Sequence, residues 1–104
     1  MLQFKEGIQL TITKAINEIL LKAEPCFTSF SVPCVVTSGT DGQHGEKSKH
    51  YSAEALDFRV RHLKVDLHQP LVKLLKERLG KDFDVVYEGD HVHIEFDPKG
   101  EGRK

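Results

Sequence analysis

Hydrophobic and polar positions follow two different periods along the chain, and the switches between them mark out its elements. Between Thr13 and Glu24, Ile16, Ile19, Leu20 and Ala23 recur at three- and four-residue intervals, which predicts a helix with one buried stripe that Pro25 should stop. Val32 to Val36 is short and mostly β-branched, and it runs into the turn formers Ser38-Gly39-Thr40-Asp41-Gly42. A strand opening into a long polar loop from Thr37 to Ser52 is expected there, and a loop of that length in a small domain is more often a working loop than a connector. From Ala55 the pattern has period two, with Leu56, Phe58 and Val60 set between Asp57, Arg59 and Arg61, which predicts a strand over Ala55 to Arg61. Leu71, Leu74, Leu75 and Leu79 share one helical face, bounded by a start near His68 to Pro70 and by Gly80 as C-cap. Phe83 to Tyr87 and Val92 to Phe96 flank Glu88-Gly89-Asp90 and read as strand, turn, strand. The order helix, strand, strand, helix, strand, strand implies an α+β fold, a small and mainly antiparallel sheet with two helices packed against it.

At 104 residues the chain has the length of one domain, taken as 1–104 with a frayed tail from Pro98, and at 38% hydrophobic content it can build a core. Fifteen Lys and Arg against sixteen Asp and Glu give a net charge of −1. Such a balance disfavours nucleic acid as a partner, even with Lys47, Lys49, Arg59, Arg61 and Lys64 available. The N-terminal stretch lacks an apolar segment behind a basic start, and no run approaches the roughly 20 apolar residues that span a bilayer. The expectation is therefore a chain synthesised in the cytoplasm, with no membrane partner and with a monomer favoured. Cys26 and Cys34, with seven residues between them, read as core thiols, a bridge between them being the alternative.

Six histidines are many for this length, and His44, His50, His91 and His93 fall in the two loop and strand-end regions. His50 at the close of the long loop and Asp57 on the following strand are placed to converge. His91-Val92-His93 is an H-x-H unit, and strand alternation puts both imidazoles on one face. Two imidazole nitrogens and a carboxylate oxygen, with a fourth position left to water, suit catalytic Zn²⁺.

Two motifs sharpen this. Ser48-Lys49-His50-Tyr51-Ser52-Ala53-Glu54-Ala55-Leu56-Asp57 is similar to Ser-x-His-x-x-Gly-x-Ala-x-Asp, and Asp90-His91-Val92-His93 matches Asp-His-x-His. In that order, they resemble the M15 group of zinc peptidases, the D-Ala-D-Ala carboxypeptidases and endolysin-like enzymes that cut the peptidoglycan stem peptide, over about Val35 to Asp97. The resemblance implies that His50, Asp57 and His93 bind zinc, that Asp90 is the general base, and that His91 is a neighbour in the active site. Ala53 stands where the family usually has Gly, and Ser38-Gly39-Thr40-Asp41 replaces the family's Ser-Gly-Tyr-Arg, so the usual loop cation is missing. With that cation absent, internal cleavage is favoured over removal of a terminal residue. Three-residue spacing along a regular strand separates Asp90 from His93, so Asp90 must lie in the turn, with Glu88 as the competing base. Arg59, two residues beyond a ligand and on the same strand face, is the candidate for stabilising an oxyanion. A lytic enzyme of phage or prophage type, carried to the wall by another factor, accommodates these features. A zinc-stabilised binding module without hydrolytic activity is the alternative.

Overall fold

The computed structural model describes residues 1–8, 10, 12–39 and 54–97. Among these residues the strands are β1 (Leu2–Phe4), β2 (Cys34–Ser38), β3 (Ala55–Arg59), β4 (Phe83–Tyr87) and β5 (His91–Phe96), and the helices are α1 (Lys14–Thr28) and α2 (His68–Leu79). One sheet holds all five strands in the order β1-β2-β3-β5-β4. The β1–β2 pair is parallel and the other three pairs are antiparallel, so the expected α+β architecture is present.

α1 begins where Thr13 Oγ1 accepts the Ile16 amide at 3.1 Å. It does not stop at Pro25, as the sequence suggests, but continues to Thr28. Proline deprives the Leu21 carbonyl of its helical donor, yet Leu21 is 66% exposed, so water can replace that bond. Continuing the turn keeps Cys26 and Phe27 in line with Ala23, and all three are buried. The gain from seating Phe27 outweighs one hydrated carbonyl. Its ring lies 5.8 Å from that of Phe58 on β3, at the centre of the layer where the helices meet the sheet. Phe27→Ala is expected to cost about 3–5 kcal/mol, measured as a lower midpoint in urea unfolding.

Three other boundaries differ from the sequence reading. β1 is a three-residue edge strand, too short to show a period, and it is held by pairing Leu2, Gln3 and Phe4 with Cys34, Val35 and Val36. β2 starts at Cys34 rather than Val32, because Pro33 has no amide to donate. β3 ends at Arg59, since Val60 turns its N–H to the Asp90 carbonyl at 3.1 Å. The C-cap at Gly80 is as expected, with φ 88°.

Cys26 and Cys34 are buried free thiols. Burial pushes the Cys34 thiol up to about 12, with the Glu24 carboxylate adding to it, so Cys34 is not a nucleophile at neutral pH. No helix among the described residues is long and apolar enough to cross a membrane.

Candidate metal centre

Alternation along β3 and β5 divides their side chains between two environments. Leu56, Phe58, Val92 and Ile94 enter the core beneath the helices. Asp57, Arg59, His91, His93 and Glu95 therefore share the opposite face, where each is partly exposed. Antiparallel register then aligns them in cross-strand pairs, Asp57 with His93 and Arg59 with His91. Two of the residues assigned to the ligand set from sequence, 36 positions apart, are thereby opposite each other.

The Asp57 carboxylate accepts a hydrogen bond from His93 Nδ1 at 2.8 Å. His93 Nε2 donates to Glu95 at 3.1 Å, so both ring nitrogens face carboxylates. The His93 imidazole is accordingly pushed up to about 9, first by the bond to Asp57 and then by Glu95, against the opposing effect of burial. Two donors on one tetrahedral zinc, at about 2.0–2.1 Å from it, lie about 3.3 Å apart. The observed separation is about half an ångström short of that, so a small opening of the pair once the shared proton leaves suits both donors to one ion. An imidazole nitrogen and a carboxylate oxygen are also the donor types that zinc takes.

The turn between β4 and β5 depends on Gly89 at φ 95°, a conformation that side chains with a Cβ resist. Asp90 lies in this turn, as its spacing from His93 requires, and its side chain is 70% exposed. It accepts a hydrogen bond from His91 Nδ1 at 2.8 Å. That bond holds the Asp90 carboxyl below the usual carboxylate range, with the His91 and Arg61 charges adding to the effect. The other nitrogen of His91, Nε2, is 4.0 Å from Asp57 Oδ2. His91 thus stands between the turn carboxylate and the Asp57–His93 pair. Glu88 uses its backbone N–H to bond the His91 carbonyl at 2.8 Å and has an exposed side chain.

His50, His44 and the rest of the first motif up to Ala53 lie outside the described residues, as does the tail from Pro98. Among the described residues no group of three or more His, Cys, Asp or Glu side chains is arranged to hold a metal ion. What the structure brings together is Asp57 and His93, with His91, Asp90 and Arg59 around them.

Sequence reasoning passed over Glu95, although its position two residues after His93 places it on the same face. It also gave no role to His62 and His68. His68 is buried, with Nε2 donating to the Leu63 carbonyl at 2.9 Å and Nδ1 bonded to the Tyr87 hydroxyl at 2.7 Å, which ties the start of α2 to β4. His62 bonds the Pro33 carbonyl through Nε2 at 2.9 Å. These two rings are structural braces, remote in role from the paired imidazoles of β5. No protein-family model matches the chain, and no curated protein matches it.

Proposed function

We propose that the chain is a zinc-dependent peptidase acting on the peptidoglycan stem peptide, with Asp57, His93 and His50 holding the metal. The observation that carries this reading is the cross-strand contact of Asp57 with His93 on the open sheet face, preceded in sequence by His50 at the motif spacing. When bound, zinc supplies Lewis acidity that lowers the pKa of a coordinated water toward about 7.

The protein's own groups do the rest. Asp90, ionised at neutral pH, accepts a proton from the attacking water and returns it to the leaving amine. The hydrogen bond from His91 fixes the orientation of that carboxylate, at the cost of some basicity. Arg59, in register with His91, presents a positive charge to the oxyanion that develops at the scissile carbonyl. Before the metal enters, Asp57 aligns the His93 ring through Nδ1, and Glu95, which accepts from Nε2, goes on holding the ring after Nδ1 has given up its proton.

The test is digestion of purified cell walls by the zinc-loaded chain, with products identified by mass spectrometry with and without chelator. Release of peptide fragments that stops on chelation and returns with zinc is expected. A chain that binds one zinc yet releases nothing would be a binding module and not a peptidase.

A further inference from the structure

The sheet ends on one side at β4, and the outer edge of that strand is open. Toward β5, the Glu88 N–H donates to the His91 carbonyl at 2.8 Å, and the Asp82 carbonyl accepts the Asp97 N–H at 2.7 Å. Alternation along an antiparallel pair then turns the backbone groups of Asp84 and Val86 toward β5 and those of Phe83, Val85 and Tyr87 outward. The Phe83 N–H is taken by the Gly80 carbonyl at 3.3 Å. Among the described residues the N–H groups of Val85 and Tyr87, and the carbonyls of Phe83, Val85 and Tyr87, have no backbone partner. Such an edge templates a further strand unless the sequence blunts it. The opposite edge, β1, is three residues long and runs into Lys5. β4 is five residues long, pairs with β5 without a bulge, and contains neither proline nor lysine.

A groove of about 490 Å³ lies beside this edge, lined by Lys76 near the end of α2, by Lys81 just beyond it, and by Phe83, Asp84, Val85 and Val86. Val86 is 44% exposed. β4 is a poor complement to itself. Two-fold pairing that brings outward groups together across Asp84, Val85 or Val86 sets, in turn, Asp84 against Asp84, Asp82 against Glu88 and Asp84 against Glu88 of the second copy. Like charges directly opposite are destabilising. By contrast, Lys76 and Lys81 form no ion pair among the described residues, and the one acid of the lining, Asp84, is already engaged. Charge complementarity thus asks for a carboxylate from outside the chain. We infer that β4 is the docking edge for an extended segment of another protein, which adds as an antiparallel strand with apolar side chains over Phe83 and Val85 and an acidic residue beside Lys76 and Lys81. The added strand lies in the plane of the sheet and leaves the face of Asp57 and His93 open, so the inference stands apart from the peptidase reading.

The probe is acetyl-Val-Thr-Val-Lys-Val-Thr-Glu-amide, which in antiparallel register sets its lysine opposite Asp84 and its glutamate opposite Lys81. Backbone-amide hydrogen exchange and NMR shifts of the full chain are followed as the peptide is titrated. At saturation the Val85 and Tyr87 amides are expected to exchange at least about tenfold more slowly, while those of Asp84 and Val86, already bonded to β5, change little. The same peptide N-methylated at its second valine, the one opposite Val85, should give no protection. Replacing the peptide's glutamate by lysine should weaken binding about fivefold, the scale of an exposed ion pair, and Lys76→Glu combined with Lys81→Glu should invert that preference. Unchanged exchange at Val85 and Tyr87, equal protection by the N-methylated peptide, or a charge preference that does not invert would overturn the inference. Sedimentation of the free chain should show a monomer; a dimer with both of these amides protected would give the edge to a second copy instead.

Discussion

Asp57→Ala is expected to empty the site of zinc and to lower wall-peptide cleavage by at least about a thousandfold, the scale set by losing the metal's contribution to the attacking water. The loss is large because Asp57 has two tasks. It offers a carboxylate oxygen to the ion, and in the metal-free protein it aligns His93 through the 2.8 Å contact to Nδ1, so its removal leaves the imidazole held by Glu95 alone. Asp90→Ala should behave differently. Its side chain bonds His91 in the exposed turn, whereas His93 is held by Asp57 and Glu95, so zinc should remain while cleavage falls about 10²–10⁴-fold, the range for a lost general base. Metal content by mass spectrometry and initial cleavage rates separate the two variants. Full zinc occupancy in Asp57→Ala would remove that residue from the ligand set, and loss of zinc in Asp90→Ala would assign the turn carboxylate to the metal.

How much of this was legible from the chain depends on the range of the forces involved. Period-two alternation is a local property, so β3 and β5, and the shared face of Asp57 with Arg59 and of His91 with His93, could be read directly. The pairing of Asp57 with His93 is a matter of register between strands 36 residues apart, which no periodicity encodes. Motif order brought these residues to attention, and the sheet supplies the contact. β1 was beyond reach because it exists only through its pairing with β2. Pro25 misled because the local rule for proline takes no account of the core that seats Phe27. His62 and His68 show the same limit from the other side, since composition counts them equally with His91 and His93, while their backbone acceptors at Pro33 and Leu63 make them braces. The turn at Asp90 was inferable, because spacing excluded a regular strand and Gly89 offered the geometry.

His93 should give the metal-free and zinc-bound protein opposite responses to pH. Without metal, the hydrogen bond to Asp57, aided by Glu95, pushes the imidazole from its ordinary 6.5 up to about 9. A folded value above the unfolded one means that the charged form is the stabilised form. The contribution is therefore complete below about pH 6.5 and is lost as pH rises through about 9. Its ceiling is on the order of 3 kcal/mol, reduced by the solvent still reaching a side chain that is 29% exposed. Zinc reverses the sign. A metal-bound imidazole carries no proton on the ligating nitrogen, so binding must expel the proton that Asp57 favours. Across the same interval the apparent zinc affinity should rise by up to about tenfold per pH unit and level off above about 9. Glu95→Gln removes one carboxylate that favours the charged ring, so it should move the upper end of both transitions to lower pH. Urea unfolding of the chelator-treated chain at several pH values measures the first response. Calorimetric zinc titration in buffers of different ionisation heat measures the second, together with the proton released. Zinc affinity that stays flat across this window, in a protein whose metal-free stability still falls with rising pH, would show that His93 binds Asp57 and not the metal.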